Sequence, residues 1–135
     1  MKDKKLTIRI HKPVSEVFAF TITPPNSAKW ISFIKNEKTN EWPVKVGTIY
    51  STQNDKGEWF DIIIHAIEQD NMFEMISEDK NYHVRYTFKP INNNTTEFEY
   101  YEWVDKGKIE DSIEPFTQAT LEKLKQVLER NKITL

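Results

Sequence analysis

Alternation of large apolar and polar side chains dominates the second half of the chain. From Tyr82 to Ile91, and again from Thr95 to Val104, bulky residues recur at every second position, the period of a half-buried strand. Asn92, Asn93 and Asn94 separate the two runs, and a three-residue loop there sets a register. In that register Tyr86 faces Tyr100, Phe88 faces Phe98, Val84 faces Glu102 and Tyr82 faces Val104. The other side pairs Lys89 with Glu97, Thr87 with Glu99, Arg85 with Tyr101 and His83 with Trp103, which suits a solvated surface. A slip of one residue would mix the two sets and misplace many aromatic side chains at once. Extending through the turn at Asp79-Lys80 puts Phe73 and Met75 on the inner face. Beyond the turn at Asp70 the parity is open: a two-residue loop directs Ile62, Ile64 and Ala66 inward, and a three-residue loop directs Asp61, Ile63 and His65 inward.

After Val104 the period lengthens. At about 100° per residue, Ile113, Phe116, Leu121, Leu124, Val127 and Leu128 fall within an arc of about 140°, with Glu122, Lys125, Gln126 and Glu129 opposite. Pro115 fits only a first turn, so this helix is predicted to start near Ser112, with Ser112 as its cap, and to end near Lys132. Asp111 and Glu114 at one end, and Lys123, Lys125, Arg130 and Lys132 towards the other, agree with the helix dipole. About 20 residues reach about 30 Å, enough to cross a six- or seven-stranded sheet. Thr117 and Thr120 interrupt the apolar arc; they either bond back to the helix or face a cavity.

The first half reads less strongly. Leu6, Ile8 and Ile10 alternate with polar residues in a strand whose preceding lysines suit an edge. Pro13 opens a short helix with Val14, Val17 and Phe18 on one face, and Pro24-Pro25 ends it. Asn26 is placed to cap a second short helix carrying Trp30 and Phe33. A strand at Ile34 to Thr39 begins a succession of strands joined by turns at Asn54-Asp55-Lys56-Gly57, Asp70-Asn71 and Asp79-Lys80. The expected architecture is therefore α+β: one strand, two short helices, about six more strands, and a long C-terminal helix packed across a curved antiparallel sheet.

Composition narrows the classes of function. The 135 residues fit one domain spanning 1–135. Lys and Arg number 19 against 21 Asp and Glu, for a net charge of -2, and the basic residues are dispersed, so no nucleic-acid stripe is expected. The lack of cysteine removes disulfides and thiolate chemistry and fits a reducing, cytoplasmic setting. No apolar run approaches a membrane span, and no stable membrane insertion is expected. With Gly only at 47, 57 and 107 there is no phosphate loop and no nucleophile elbow. His11, His65 and His83 lie far apart without metal-ligand spacing, so neither a metal nor another cofactor is expected.

The order of elements resembles the START-like, or SRPBCC, superfamily, in which an antiparallel sheet wraps a long C-terminal helix in a helix-grip fold. The similar residues are Ile8-Arg9-Ile10-His11-Lys12-Pro13-Val14-Ser15-Glu16-Val17-Phe18, Pro25-Asn26 with Trp30, Val46-Gly47-Thr48, and the final helix. The resemblance covers nearly the whole chain. It implies a hydrophobic cavity between sheet and helix, as in the polyketide cyclase, dehydratase and lipid-transport branch, and no shared catalytic set; the subgroup stays open.

Candidate ligand-binding residues are Trp30, Phe33, Trp59, Phe73, Met75, Tyr82, Val84, Tyr86, Phe88, Phe98, Tyr100, Phe116, Thr117, Thr120 and Leu124, which would hold a small apolar or aromatic molecule. Glu102 is the one charged member of the inner face: either the strand end is open and leaves it solvated or paired with a lysine, or burial raises its pKa and suits it to acid or base work. His65, with Asp61, joins it only if the three-residue turn holds. Three readings follow: a binding protein for a lipid- or polyketide-like ligand, a cyclase or dehydratase using Glu102 with His65 or Tyr86, and an interaction module using Tyr101 and Trp103 on the outer face. A monomer or weak homodimer is expected.

Overall fold

A computed structural model describes residues 2–111 and 116–130. The expectations for Ser112, Ile113, Glu114, Pro115 and Lys132 lie outside them. Seven strands, β1 (Asp3–Ile10), β2 (Ile34–Thr39), β3 (Ile49–Asn54), β4 (Trp59–Glu68), β5 (Met72–Ser77), β6 (Tyr82–Asn92) and β7 (Thr95–Val104), form one antiparallel sheet. Their order is β1-β7-β6-β5-β4-β3-β2, so the N-terminal strand closes one edge beside the last strand. Helix α1 (Val14–Ile22) follows β1, and helix α2 (Gln118–Arg130) ends the described chain. The curled sheet with its C-terminal helix is the expected α+β, helix-grip-like arrangement.

The β6–β7 register is the one the aromatic pattern predicts, from Tyr82 opposite Val104 to Lys89 opposite Glu97. The turn differs in detail: Asn92 pairs with Thr95, and the odd residue is a bulge at Ile91. A tight turn plus one bulged residue preserves the parity of a three-residue loop. The question left at Asp70 resolves in the same way. Glu68 pairs with Met72 across a three-residue loop in which Asp70 has φ 60°, so Ile67 faces inward opposite Phe73. His65 then bulges out of the ladder, and beyond it Ile64 and Ile62 face inward instead. The loop is thus the three-residue one, yet Asp61, Ile63 and His65 do not face inward; of the set tied to the two-residue loop, Ile62 and Ile64 face inward and Ala66 does not. A third bulge, at Lys35, shifts β2 so that Ile34 and Glu37 can both face inward despite their odd spacing.

The second short helix is only a 3-10 turn, Asn26–Lys29, and Asn26 lies within it, its side chain donating to the Phe20 carbonyl at 3.1 Å rather than capping. A second 3-10 turn, Ile109–Asp111, contains Asp111. Helix α2 begins later than predicted. Thr117 sits at its N-cap and donates its N–H to the Thr120 hydroxyl at 3.2 Å, half of a capping box. Its 13 residues span about 20 Å. It runs beside edge strand β1: Gln118 donates to the Thr7 carbonyl at 2.9 Å, Lys125 to the Arg9 carbonyl at 3.0 Å, and Glu129 accepts from the His11 N–H at 2.9 Å. Leu121, Leu124 and Leu128 are buried beneath it.

Close packing is concentrated under α1 and around Trp30. Phe18 meets the edges of Phe73 and Phe88 at 5.9 and 5.2 Å between centroids, and Trp30 stands at 90° to Phe98. These edge-to-face contacts complement the ring quadrupoles and leave little free space. The other half of the inner face, from β2 to β5, is filled less completely.

Candidate functional site

In that second half lies a cavity of about 50 Å³, room for one or two waters at about 30 Å³ each. Its floor is Tyr50, Thr52, Ile62, Met75, Val84 and Tyr86 from strands β3 to β6. Thr21, Ser27, Ile31 and Phe33 from α1 and the following loop form the roof, with Phe116 beside them. Glu37, from β2, closes one side. The location departs from expectation: the walls come from the segment after α1, whereas Leu124 and the rest of α2 pack elsewhere.

Glu37 was absent from the sequence candidates, because strand Ile34–Thr39 reads as an ordinary polar edge and its bulge leaves no mark in composition. The register puts Glu37 opposite Thr52, and Thr52 opposite Phe60, in one row across β2, β3 and β4. Its Oε1 is buried without a protein partner. Burial pushes the Glu37 carboxyl up to about 7, and a hydrogen bond from the Ser27 hydroxyl only partly offsets that. The Tyr50 hydroxyl is turned away, donating to the Ile22 carbonyl. Burial, and next the charge on Glu37, hold the phenols of Tyr50 and Tyr86 well above the ordinary range, so both are neutral donors.

Glu102 is fully buried, and it does not line the cavity. Its Oε1 accepts from the Tyr82 hydroxyl at 3.1 Å, and Tyr82 in turn lies 3.2 Å from the Tyr100 hydroxyl. Burial raises its pKa, while the tyrosine hydrogen bonds and the Lys4 charge pull it back. Lys4 is opposite Glu102 in the ladder and reaches the Phe116 carbonyl at 2.5 Å. Phe116 stacks on Tyr100 at 4.3 Å and completes the cover. Glu102 therefore reaches the cavity through Tyr82 and Tyr100, which both line it.

The cavity meets the outside at one end. An open groove of about 820 Å³ between the β3–β4 and β5–β6 turns shares four residues with it: Phe33, Phe60, Ile62 and Tyr82. Phe60 is partly exposed and Ile62 half-buried, so this throat is the thin point of the wall.

Of the expected ligand contacts, Phe33, Phe73, Met75, Tyr82, Val84, Tyr86, Tyr100 and Phe116 line the cavity. Trp30, Phe88, Phe98 and Leu124 are buried in solid core instead. Thr117 is exposed and Thr120 half-buried at the start of α2, where capping uses them. Trp59, about half exposed, borders the groove, and Lys38 lies 5.0 Å over its ring. His65 is solvent-exposed because the bulge expels it, and Asp61 faces out to accept from the Ser51 hydroxyl at 2.8 Å. A Glu102–His65 pair is thereby ruled out by geometry. On the outer face Trp103 is sandwiched by His83 and Tyr101 at 4.7 and 5.0 Å, with Arg85 over its ring, so these aromatics serve one another. Among the described residues no group of three or more His, Cys, Asp or Glu could hold a metal, and no helix is long and apolar enough to cross a membrane.

Comparison with solved structures yields the same fold at low identity. XoxI of Bacillus cereus is 14% identical with a TM-score of 0.76, over 98% of this chain and 99% of that one. An uncharacterised Bacillus thuringiensis protein is 14% identical with a TM-score of 0.72, over 94% and 98%. The Aha1 dimer of Colwellia psychrerythraea is 14% identical with a TM-score of 0.73, over 98% and 99%. No curated protein matches. The family model described as a domain of unknown function, DUF3284, matches residues 5–122, and the chain belongs to that family.

Proposed function

We propose that this protein binds a small molecule whose apolar body enters through the groove and whose leading end lodges in the cavity. The observation that carries the reading is the continuity of an aromatic-walled cavity with an open groove through Phe33, Phe60, Ile62 and Tyr82. Binding sites typically combine such apolar walls with a few convergent polar groups. Here Glu37 and the hydroxyls of Tyr82 and Tyr86 are those groups. The enclosed part is below the roughly 300 Å³ of a drug-sized site, so a lipid- or polyketide-like body would rest in the groove. Membership of the START-like superfamily belongs to the same proposal, supported by the curled sheet and the order of elements. A cytoplasmic monomer or weak homodimer completes it; the second state draws on the Colwellia neighbour, which is a dimer.

Trp30 reports on the site, since its ring contacts Tyr86 and Phe116 at 6.1 and 5.9 Å. Titration of the purified protein with a panel of small aromatic, lipid-like and polyketide-like compounds is expected to give a saturable fluorescence change. Binding measured by calorimetry should vanish when Ile62→Trp fills the throat. No saturable response from any member would contradict the reading.

A second reading, acid–base catalysis, rests on the Tyr82–Glu102 hydrogen bond behind the cavity wall. It requires that Glu102→Gln abolish turnover of a carbonyl substrate while leaving its binding intact.

A further inference from the structure

Charge is distributed unevenly along the route from groove to cavity. Among the described residues lining the groove are Asp55, Glu58, Asp61, Glu78 and Asp79 against one cation, Lys56, with Lys38 at its border over Trp59. Such a one-signed cleft concentrates ions of the opposite sign and speeds their entry. The cavity beyond it has one carboxyl group, Glu37, and no lysine, arginine or histidine among its described lining residues. Glu102 is different, because Lys4 stands opposite it in the ladder and the Tyr82 hydroxyl is bonded to it. A buried carboxylate without a counter-charge is costly, and a cation supplied from outside would relieve that cost. The surrounding rings favour the same guest, since tyrosine and phenylalanine faces attract organic cations.

Length is constrained as well. Glu37, Thr52 and Phe60 occupy one row on three adjacent strands. At about 4.8 Å per strand, the Glu37 and Phe60 backbones are about 10 Å apart. A cationic head at Glu37, a spacer of two or three carbons and a ring at the throat fit that distance.

We infer that the ligand is an organic cation: a primary or secondary amine on an apolar, ring-sized body, with its ammonium paired to Glu37 and its body between Phe60, Ile62 and Tyr82. This rests on the cavity reading above and adds its chemical class. Facing Glu37 are Ser27 from the 3-10 turn, Tyr50 from β3 and Tyr86 from β6, none of them charged near neutrality. Lys35 and Lys38 on its own strand are exposed. Glu37 is thus the group whose ionisation governs pairing. Since its carboxyl sits near 7, an ammonium ligand must displace a proton in acid, and affinity rises about tenfold from pH 6 to pH 8.

The test compares phenethylammonium with its neutral isostere 2-phenylethanol, by tryptophan fluorescence and calorimetry on the full chain. The amine is expected to bind at least tenfold more tightly than the alcohol. Glu37→Gln should cost the amine tenfold or more, leave the alcohol unchanged and flatten the pH profile. Thr52→Leu, which fills space beside Glu37, should weaken both, and it serves if Glu37→Gln does not fold. Equal binding of amine and alcohol, insensitive to Glu37→Gln, would overturn the charge assignment and leave the cavity reading standing. Amine binding lost in Glu78→Gln/Asp79→Asn but kept in Glu37→Gln would place the cation in the groove and overturn the inner site. Failure of both probes and of every neutral compound in the panel would overturn both readings.

Discussion

Two carboxyl groups, Glu102 on β7 and Glu37 on β2, point to the same inner face of the sheet, yet their surroundings differ. Glu102 is enclosed by a hydroxyl network, with Tyr82 donating to it, Tyr100 next in line, and Phe116 stacked over Tyr100. Each has one buried oxygen without a protein partner, Oε2 of Glu102 and Oε1 of Glu37, but only Glu37 borders a cavity that leads through a thin wall to solvent. Both are pushed upward in pKa by burial. Neither burial nor an unpartnered oxygen therefore distinguishes a structural carboxyl from a receptive one; access and the absence of a facing counter-charge do.

The sharpest way to break this contrast is to compare packing in the two halves. Phe98 is fully buried among Trp30, Tyr86 and Phe88, and Phe98→Ala is expected to destabilise by about 3–5 kcal/mol. Phe60→Ala at the throat should cost less than about 1 kcal/mol. Denaturant titration measures both, and equal losses would mean that the throat is as solid as the core.

Next in size is the pH dependence of stability. The Glu37 carboxyl titrates near 7 in the folded protein against an ordinary 4.5, so the folded state holds the proton more tightly. Its contribution is complete below about pH 4.5 and is lost as pH rises through 7, amounting to about 3 kcal/mol. Glu37→Gln should remove that slope and be the more stable protein at pH 8, as thermal melts between pH 4 and 8 would show. A wild-type slope unchanged in the variant would assign the titration elsewhere.

Glu102 is expected to respond to the loss of its acceptor. Glu102→Ala strands the Tyr82 hydroxyl and should cost about 2 kcal/mol, whereas Glu102→Gln keeps an acceptor and should stay within about 1 kcal/mol. Neither should alter the amine-to-alcohol preference, which ligand titration of both variants checks. At the bottom of the scale, Lys89→Ala on the outer face breaks an exposed 3.2 Å pair with Glu99 and should change stability by less than about 0.5 kcal/mol.

How much of this was legible in the sequence follows from where one residue suffices to change a face. The β6–β7 hairpin was readable because aromatics at every second position tolerate only one pairing, and its bulge at Ile91 falls next to the turn where it preserves parity. The bulges at His65 and Lys35 fall inside strands, and an extra residue there carries no compositional signature. They expelled His65 and brought in Glu37, so the histidine candidate was lost and the carboxyl was missed. Inward aromatics could be recognised as a set, but their division into cavity wall and solid core could not. Trp30 and Phe98 touch each other, whereas Tyr86 and Tyr100 also border free space, a difference set by three-dimensional packing. Thr117 and Thr120 looked like cavity polar groups until the helix start moved to them and turned them into a cap.

The central claim, that Glu37 is a receptive carboxyl awaiting a cation, is tested most directly by following the side-chain carboxyl carbons by NMR through a pH titration, with and without saturating phenethylammonium. The account predicts that Glu37 titrates near 7 when free and falls by at least one pH unit with the amine, while Glu102 does not move. A Glu37 carboxyl that titrates near 4.5 and ignores the amine would contradict it.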